Sequence, residues 1–272
     1  MHQNNLSKYG ITENIIEQIL IILIQAGTIA LKYHNSSNLK IDYKIDQSPV
    51  TNADIEVSNF IIAKISDLTP EIELISEENE PTNLVGQVFW LLDPIDGTKY
   101  YIQGSLGYTI NLALVIDKTP VLGFVYHPSL AEIYYTNSQL QPILYDLSHM
   151  QRSICSNFDR SRLLRVIINN EQAKINQIEQ QELFSKIYPR DDRNKISMFL
   201  TDQADLYYIE HQIKEWDTAS GHAILKTLGG DILDKTGNVL EYGKPWFNNP
   251  QIIVCSHKAI MHKQIILNNN WL

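Results

Sequence analysis

The alternation of helical and extended segments predicts an α/β or α+β fold built of stacked layers. Apolar residues recur at helical spacing over residues 12–34 and 53–68, which predicts two helices near the amino terminus. The apolar run Val88–Asp93 indicates a strand that is buried on both faces. Short β runs separated by turn residues follow Gly107 and favour an antiparallel meander.

The first half of the chain has clear boundary signals. Thr12 can cap the first helix, and Thr51 or Asn52 can start the second. A short strand is expected at Ile72–Ser76, and Pro94 should end the strand that begins at Val88. The strands of the meander are predicted at Tyr108–Ile116, Pro120–Tyr126 and Glu132–Thr136.

The second half again mixes strands with helices. Residues 137–160 are polar and predicted to be irregular, so we divide the chain into halves 1–150 and 151–272. The strands are predicted at Leu163–Ile168, Ala204–Ile209, Ile232–Leu233 and Gln251–Cys255. The helices are predicted at Gln172–Ile187, Thr218–Leu228 and about Lys258–Asn268.

Composition and charge narrow the class of function. The chain has 272 residues, a net charge of −9 and a sequence pI near 5.3. It shows no basic stripe, so binding to a nucleic-acid polymer is not expected, and an acidic site that holds cations fits better. The two cysteines, Cys155 and Cys255, cannot form a disulfide framework, which favours a cytoplasmic protein with free thiols.

Membrane insertion is not expected from the hydropathy pattern. The first residues lack the basic patch and apolar run of a signal peptide. The most apolar stretch, Ile15–Ile24, contains Glu17 and Gln18 and is much shorter than the roughly 20 apolar residues of a spanning helix. We interpret it as a core-facing helix, and a peripheral position at the inner face of the membrane remains an alternative.

The segment from Trp90 to Lys99 carries the strongest chemical signal. A buried strand delivers Asp93, and Asp96 follows after a turn, so both carboxylates can converge on one point. Gly97 permits close approach of the backbone to a ligand, and Thr98 begins a helical segment whose N–H groups suit a phosphate. Hard oxygen donors beside such a helix start are typical of a Mg²⁺ and phosphate site, and no nearby His or Cys cluster indicates zinc.

Each of these residues also has an ordinary structural explanation. The segment around Asp93 and Asp96 could be a turn with two solvated carboxylates. Asp217 alone could be a helix cap, and Asp54 a charge in a first helical turn. We interpret His222 as a hydrogen-bonded helix histidine and His127 as packing near a turn.

Four motifs in order nevertheless resemble the inositol monophosphatase superfamily of Mg²⁺-dependent, lithium-sensitive phosphatases. They are Ser48-Pro-Val-Thr-Asn-Ala-Asp54, Ser76-Glu77-Glu78, Asp93-Pro-Ile-Asp96-Gly-Thr98 and Trp216-Asp217-Thr-Ala219-Ser-Gly221. Three features resemble the CysQ branch, which hydrolyses the 3′-phosphate of 3′-phosphoadenosine 5′-phosphate: Lys44 and Asp46 before the first motif, Lys99 after Thr98, and Gly123-Phe-Val-Tyr-His-Pro128. The resemblance implies an αβαβα sandwich with the site in a cleft between the halves.

The resemblance also implies a role for each motif residue. Glu77, Asp93 and the carbonyl of Ile95 would hold a first Mg²⁺, and Asp93, Asp96 and Asp217 a second. A third, weaker ion could use Glu77 and water. Thr98, paired with Asp54, would help Glu77 to orient or deprotonate the attacking water. Gly97 and Thr98 N–H groups would bind phosphate oxygens, and the substrate-binding set would be Asp96, Gly97, Thr98, Lys99 and Asp217.

The second half departs from the CysQ pattern where that branch recognises its nucleotide. The chain has Ile167-Ile-Asn-Asn170-Glu-Gln where the branch has a Ser-Arg-Ser-His-like stretch. It has Asn194-Lys-Ile-Ser197-Met198-Phe199 where the branch has Gly-Ser-Ser-Leu-Lys-Phe, so Met198 stands where a lysine would contact substrate. Lys195, Ser197 or Arg193 could substitute locally.

The prediction is therefore a bisphosphate nucleotidase acting on a small phosphorylated substrate, as a monomer or homodimer. An inositol or sugar monophosphatase and a decayed, non-catalytic metal-binding protein are the alternatives. A haloacid-dehalogenase-type site needs two aspartates two positions apart, whereas Asp93 and Asp96 are three apart.

Overall fold

The computed structural model describes residues 3–79, 86–154, 163–168, 184–189 and 195–268. Its helices are α1 (Gln3–Lys8), α2 (Glu13–Tyr33), α3 (Asn52–Leu68), α4 (Thr98–Ile102), α5 (Lys195–Leu200), α6 (Trp216–Thr227), α7 (His257–Met261) and α8 (Lys263–Asn268). A hairpin of β1 (Ile41–Tyr43) and β2 (Pro49–Thr51) precedes α3.

The remaining described strands form two sheets. The larger sheet follows chain order, with β3 parallel to β4 and every later pair antiparallel: β3 (Glu73–Ser76), β4 (Val88–Asp96), β5 (Thr109–Ile116), β6 (Thr119–His127), β7 (Glu132–Thr136), β8 (Pro142–Asp146) and β9 (Gln151–Ile154). The smaller sheet has the order β11-β10-β12-β14-β13: β10 (Leu164–Ile168), β11 (Phe184–Pro189), β12 (Leu206–Ile209), β13 (Asp231–Asp234) and β14 (Ile252–Cys255).

Three apolar clusters hold these elements in five layers. The first joins α2 and α3 to one face of the larger sheet and includes Trp90. The second joins the other face of that sheet to α6 and the smaller sheet, and Trp216 lies in it. The third joins the far face of the smaller sheet to α7 and α8. The order helix, sheet, helix, sheet, helix confirms the predicted αβαβα sandwich.

Helix α2 is amphipathic and largely core-facing, as its sequence pattern predicts. The Thr12 side chain accepts a hydrogen bond from the Ile15 N–H, and Ile16, Ile19 and Leu23 are fully buried. By length and composition alone, α2 is the one described helix that could cross a membrane, although the core helix of a globular protein meets the same criteria.

Strand β4 continues past the predicted stop at Pro94. Asp93 pairs with Asn111 and Asp96 with Thr109, so two residues of β4 oppose one of β5. This irregularity lets the chain pass Pro94, which has no N–H to donate, and return to the sheet. The prediction that Pro94 ends the strand is therefore wrong, and the irregularity places both aspartates at the same edge.

Three other sequence predictions need correction. Residues 137–160 are not irregular throughout, because β8 and β9 add two antiparallel strands to the larger sheet. The helix predicted at Gln172–Ile187 is wrong from Phe184 onward, where β11 pairs with β10; residues 172–183 lie outside the described residues. The last helix is divided at His262, whose N–H bonds the Ala259 carbonyl in a tighter turn. The division at residue 150 remains a prediction.

Gly123 gives a direct test of how closely α6 packs on the larger sheet. A Cβ atom at this position would lie 2.0 Å from the Ser220 carbonyl oxygen in α6. Because backbone on both sides leaves no room, we expect Gly123→Ala to lower the free energy of unfolding by about 1–3 kcal/mol. Urea unfolding measures this, with Gly86→Ala as the control, since its Cβ would meet nothing closer than 4.0 Å. Equal midpoints for the two variants would contradict the packing described here.

Candidate active site

The carboxyl ends of β3 and β4 bring the first acidic residues together. The two strands are parallel, so they end at the same edge of the sheet. The Glu77 N–H continues the pairing by donating to the Leu92 carbonyl at 3.0 Å, which places Glu77 beside Asp93. The Asp93 side chain is buried, and its Oδ1 accepts a hydrogen bond from the Ile95 N–H at 3.1 Å. The turn is therefore packed, not solvated.

The start of α6 delivers Asp217 to this edge. Asp217 Oδ2 accepts the Lys214 N–H at 2.9 Å. The fully buried Glu215 carboxylate accepts the N–H groups of Gly243 and Lys244 at 2.7 and 3.0 Å. Glu215 thus ties the helix start to a second loop and fixes the direction in which Asp217 enters the site.

Burial and neighbouring charges raise the pKa values of the three aspartates of the site. Burial raises the pKa of Asp93 well above its ordinary range, and the charges of Glu77, Asp96 and Asp217 add to the effect. Burial likewise raises the pKa of Asp217, with Asp96 and Glu77 adding to it. The pKa of Asp96 is raised to about 6, chiefly by burial. These charge effects indicate that Glu77, Asp96 and Asp217 lie near Asp93.

Thr98 and Asp54 form a hydrogen-bonded pair across the site. Thr98 Oγ1 lies 3.0 Å from Asp54 Oδ1 and 3.0 Å from the Ile95 carbonyl oxygen. Asp54 is buried and also caps α3, because its Oδ2 accepts the Thr51 N–H at 2.8 Å. Asp54 is therefore the first-turn residue that its sequence position suggested, and its second oxygen orients Thr98.

Lys44, in the turn between β1 and β2, places a positive charge in the same site. Its ammonium donates to Glu77 Oε1 at 2.7 Å and to Glu78 Oε1 at 2.9 Å. Burial acts against the charge, but the two carboxylates raise the pKa of Lys44 above its ordinary value. Burial raises the pKa of Glu78 to about 7. The ammonium therefore engages an oxygen of Glu77, a residue that would also ligate a bound cation.

The donor set fits Mg²⁺ in its chemistry. The convergent groups are four carboxylates and a backbone carbonyl, all hard oxygen donors: Glu77, Asp93, Asp96, Asp217 and Ile95. Among the described residues, no three His, Cys, Asp or Glu side chains already hold the arrangement of an ion site. Glu77 would have to turn from Lys44 towards the aspartates to complete one.

Raised carboxyl pKa values predict a pH-dependent response to Mg²⁺. Without metal, the unfolded chain loses these protons near pH 4, whereas folded Asp96 keeps its proton to about pH 6, so stability falls as the pH rises between these values. Mg²⁺ needs ionised ligands, so it should raise the melting temperature more at about pH 7.5 than at about pH 5.5. Thermal unfolding with and without Mg²⁺ measures this, and a larger rise at the lower pH would contradict it. Protonation of histidines affects the measurements with and without Mg²⁺ equally at each pH, so it does not change the difference between them.

Lys44 should compete with the metal for Glu77. We expect Lys44→Met to lower the Mg²⁺ concentration that gives half of the thermal shift by about tenfold, because the variant keeps the side-chain volume and removes the charge. Lys40→Met, an exposed residue beside the same hairpin, is the matched control. Weaker Mg²⁺ binding in Lys44→Met than in the control would show that Lys44 supports the ion instead of opposing it.

Gly97 and Lys99 closely follow Asp96 in the chain. Gly97 has φ 90°, a left-handed conformation that favours glycine, and it leads directly into α4. Lys99 is exposed on α4. Asn170 and Arg193 lie outside the described residues, and Met198 is buried on α5.

Two histidines can be compared with their sequence interpretations. His222 is fully buried between the Tyr242 hydroxyl at 3.0 Å and Asp231 Oδ1 at 2.6 Å, which agrees with a hydrogen-bonded core histidine. His127 does more than pack near a turn, because its Nε2 lies 2.6 Å from Ser197 Oγ in α5.

Sequence analysis missed several residues that shape the site. Asn111 Nδ2 donates to Asp96 Oδ2 at 3.1 Å, and the charge of Lys195 lowers the pKa of Asp96 against the larger effect of burial. Glu215 was missed because only tertiary contacts show its function. Its position directly before the Trp216-Asp217 motif was the one signal available.

Comparison with known proteins places this geometry in a family. The sequence model of the inositol monophosphatase family matches residues 13–270. The chain belongs to the inositol monophosphatase family. It is 31% identical over 232 residues to the 3′(2′),5′-bisphosphate nucleotidase CysQ of Salmonella typhimurium, a match that covers 84% of this chain and 94% of that protein.

Solved structures of the family have the same fold. The structure of CysQ from Bacteroides thetaiotaomicron matches with a TM-score of 0.73 and 25% identity, covering 90% of this chain and 97% of that one. An IMPase/NADP phosphatase complexed with Mg²⁺ and phosphate matches with a TM-score of 0.72 and 17% identity, covering 95% and 96% of the two chains. Family membership and the CysQ relatives indicate that this chain is a phosphatase.

Proposed function

We propose that this inositol monophosphatase family member is a Mg²⁺-dependent, Li⁺-sensitive phosphomonoesterase that converts 3′-phosphoadenosine 5′-phosphate to AMP and phosphate. The observation that carries the proposal is the convergence of Glu77, Asp93, Asp96 and Asp217 beside the Thr98–Asp54 pair. The CysQ relatives, whose names specify 3′(2′),5′-bisphosphate nucleotidases, support the choice of substrate.

The metal ligands would be divided around Asp93. Glu77 and the Ile95 carbonyl would join Asp93 in holding a first ion, and Asp96 and Asp217 would join it in holding a second. Two bound Mg²⁺ ions would neutralise the phosphate charge and lower the pKa of a bound water. Two or three ions are part of this proposal, as are a cytoplasmic location and a monomeric or homodimeric state.

The proposed hydrolysis uses Glu77, Thr98 and Asp54 to handle the attacking water. Asp54 accepts a hydrogen bond from the Thr98 hydroxyl, which leaves the Thr98 oxygen lone pairs directed away from Asp54. Thr98 and Glu77 can then orient the water, and Glu77 takes its proton. The water oxygen forms a bond to phosphorus, the bond from phosphorus to O3′ breaks, and O3′ takes a proton from solvent.

Phosphate binding is assigned to the start of α4. Gly97 and Thr98 would direct their N–H groups at the phosphate oxygens, and Gly97 has no side chain to obstruct the approach. Lys99, which is exposed nearby, would supply a positive charge to an incoming anion.

A specific observation keeps a second candidate, an inositol or sugar monophosphatase. Met198 is buried and uncharged at the position where the CysQ branch has a substrate-contacting lysine. The charge of Lys195, one turn earlier on α5, acts on Asp96 and could replace it.

A substrate panel tests the choice between these candidates. Phosphate release is measured with Mg²⁺, with and without Li⁺, on 3′-phosphoadenosine 5′-phosphate, inositol 1-phosphate and fructose 1,6-bisphosphate, with Glu77→Gln as the blank. We expect a Li⁺-sensitive preference for the nucleotide. Preference for another ester would replace the nucleotidase assignment, and no release from any of them would favour the decayed, non-catalytic alternative.

A further inference from the structure

The turn that delivers Asp217 to the site is held by a second loop, residues 243–249. The peptide unit between Ile213 and Lys214 contributes the N–H that Asp217 Oδ2 accepts at 2.9 Å. The carbonyl of the same unit, on Ile213, accepts the Asn249 N–H at 2.8 Å. Because a peptide unit is planar, the bond to its carbonyl also fixes the direction of the N–H that Asp217 accepts.

The next peptide unit of the turn is held in the same way. The Asn249 side-chain Nδ2 donates to the Lys214 carbonyl at 3.1 Å. On the other side of this unit, the Glu215 N–H donates to the Phe247 carbonyl at 2.7 Å. Asn249 thus contacts two successive peptide units, one through its backbone and one through its side chain. It therefore sets the position from which Lys214 bonds the Asp217 carboxylate.

The Asn249 side chain is held through its donor group. Asn249 is 1% exposed, and its Oδ1 has no hydrogen-bond partner among the described residues. Both hydrogens of Nδ2 are used, in contrast, because Nδ2 also donates to Thr218 Oγ1 at 2.9 Å. The direction of the amide therefore depends on Thr218 as well as on the turn.

The Thr218 hydroxyl joins three parts of the chain at one atom. It donates to the Glu215 carbonyl at 3.1 Å, and it accepts the Tyr242 hydroxyl at 3.2 Å in addition to Asn249 Nδ2. A hydroxyl has one proton and two lone pairs, so these three bonds use its full capacity. Thr218 lies on α6, one residue after Asp217. Its hydroxyl therefore connects the start of α6, the preceding turn and the loop that holds that turn.

This loop has a strained backbone where it meets the turn. Trp246 and Phe247 have φ values of 62° and 51°, a left-handed region that residues with a Cβ atom seldom adopt. The Phe247 ring packs on Trp216 with ring centroids 5.8 Å apart, while its carbonyl accepts the Glu215 N–H. Strain that the surrounding contacts maintain is typical of functional sites, and two successive left-handed residues indicate a function beyond connecting β13 to β14.

We propose that Asn249, held by the Thr218 hydroxyl, is a positioning residue that directs Asp217 towards the second Mg²⁺. The inference rests on the proposed function, which assigns Asp217 to that ion, and adds two residues that act through Asp217 without being ligands. Loss of such an outer contact typically lowers metal affinity by about 10–100-fold. Loss of the Thr218 hydroxyl should therefore weaken Mg²⁺ binding more than it slows turnover at saturating Mg²⁺.

Three variants separate positioning from a loss of stability. Thr218→Val removes the hydroxyl and keeps the shape of the side chain, and Thr218→Ser keeps the hydroxyl. Thr69→Val is the matched control, because Thr69 is 7% exposed and Thr218 is 6% exposed. Thr69 Oγ1 likewise donates to a carbonyl, that of Ile65, and accepts a side-chain donor, Trp90 Nε1. It lies at the end of α3, on the face of the larger sheet opposite to α6.

Thermal unfolding over a Mg²⁺ titration measures binding without turnover. We expect Thr218→Val to raise the Mg²⁺ concentration that gives half of the thermal shift about tenfold, and the other two variants to leave it within about twofold of wild type. In phosphate release, Thr218→Val should raise the half-saturating Mg²⁺ concentration by a similar factor and keep kcat at saturating Mg²⁺ within about threefold. If Thr218→Val fails to fold by circular dichroism, Asn249→Ala replaces it with the same expected shift, since that variant keeps the backbone bond to Ile213.

The outcomes distinguish this inference from the proposed function. An unchanged half-shift concentration in Thr218→Val, or an equal rise in Thr69→Val, overturns the inference. A rise that also occurs in Thr218→Ser overturns it too, because the hydroxyl would not be the group responsible. If wild type binds Mg²⁺ but releases no phosphate from 3′-phosphoadenosine 5′-phosphate, and Thr218→Val weakens that binding, only the proposed activity is overturned. A wild-type protein without any Mg²⁺ shift overturns both.

Discussion

Asp93→Asn should lower kcat for phosphate release by about 10³-fold. Asp93 is buried at the centre of the four carboxylates and would bind both ions, so its replacement removes a ligand from each. Loss of one electrostatic contact to a transition state typically lowers kcat by about 10²–10³-fold. Asp93→Asn should have an effect at least that large, because it weakens the binding of both ions. Steady-state phosphate release at saturating substrate and Mg²⁺ measures it.

The same variant should have a distinct signature in thermal stability. The asparagine side chain cannot ionise, so the variant loses the repulsion that Asp93 feels from Glu77, Asp96 and Asp217. Without metal, we expect it to melt at the wild-type temperature or above. With Mg²⁺, the rise seen in wild type should be absent. A catalytic loss caused by misfolding would lower the melting temperature in both conditions.

Asp67→Asn is the control, because it is the same substitution at a residue that is exposed on α3. It should leave turnover and the Mg²⁺ shift unchanged. If Asp93→Asn retains turnover and the Mg²⁺ shift, Asp93 is not a metal ligand and the proposed site lacks its central ligand.

Glu77→Gln should lower kcat by about 10²–10⁴-fold, whereas Glu78→Gln should change it little. Both carboxylates accept a hydrogen bond from Lys44, so both variants lose a similar ion pair. Only Glu77 is proposed to hold an ion and take the proton of water. The comparison therefore separates catalysis from the loss of the Lys44 contact.

The pH profile adds a second readout to this pair. Glu78 has a pKa raised to about 7 by burial, so its replacement by Gln removes a group that titrates near neutral pH. We expect Glu78→Gln to keep turnover across this range. If Glu78→Gln loses activity and Glu77→Gln retains it, the proposed ion ligand and proton acceptor is Glu78, not Glu77.

The layers of the fold were predictable because they depend on local patterns. Helical spacing of apolar residues identified α2 and α3, and the continuous apolar run identified β4. The core of the site was equally local: Asp93, Asp96 and Thr98 lie within six residues, and turn chemistry brings them together. Joining them to Glu77, Asp54 and Asp217 depended on the resemblance between four motifs and a family.

The elements that were predicted wrongly depend on distant pairing. Strand β9 is mostly polar because it lies at the edge of the sheet, whereas β8 has an apolar run of only three residues, Ile143–Tyr145, inside a polar segment. Phe184–Pro189 joins a parallel partner that is 20 residues away in the chain at Leu164, and a single sequence does not show that pairing. A proline inside an apolar run usually marks the end of a strand, but it is tolerated at an irregularity such as the one between Asp93 and Asp96.

Several site residues could not be predicted for a related reason. The contact of Lys44 with Glu77 spans 33 residues, and that of His127 with Ser197 spans 70. Glu215 is fully buried because two backbone N–H groups and the Lys244 ammonium, all from another loop, satisfy it. Such contacts exist only after the layers have assembled.

The most direct test of the metal-dependent phosphatase assignment is release of phosphate from 3′-phosphoadenosine 5′-phosphate by purified protein in Mg²⁺, repeated after EDTA treatment and with Asp93→Asn. The account predicts release by wild type that stops with EDTA, returns with Mg²⁺ and is nearly absent in the variant. Release that survives EDTA, or that Asp93→Asn performs at the wild-type rate, would contradict it.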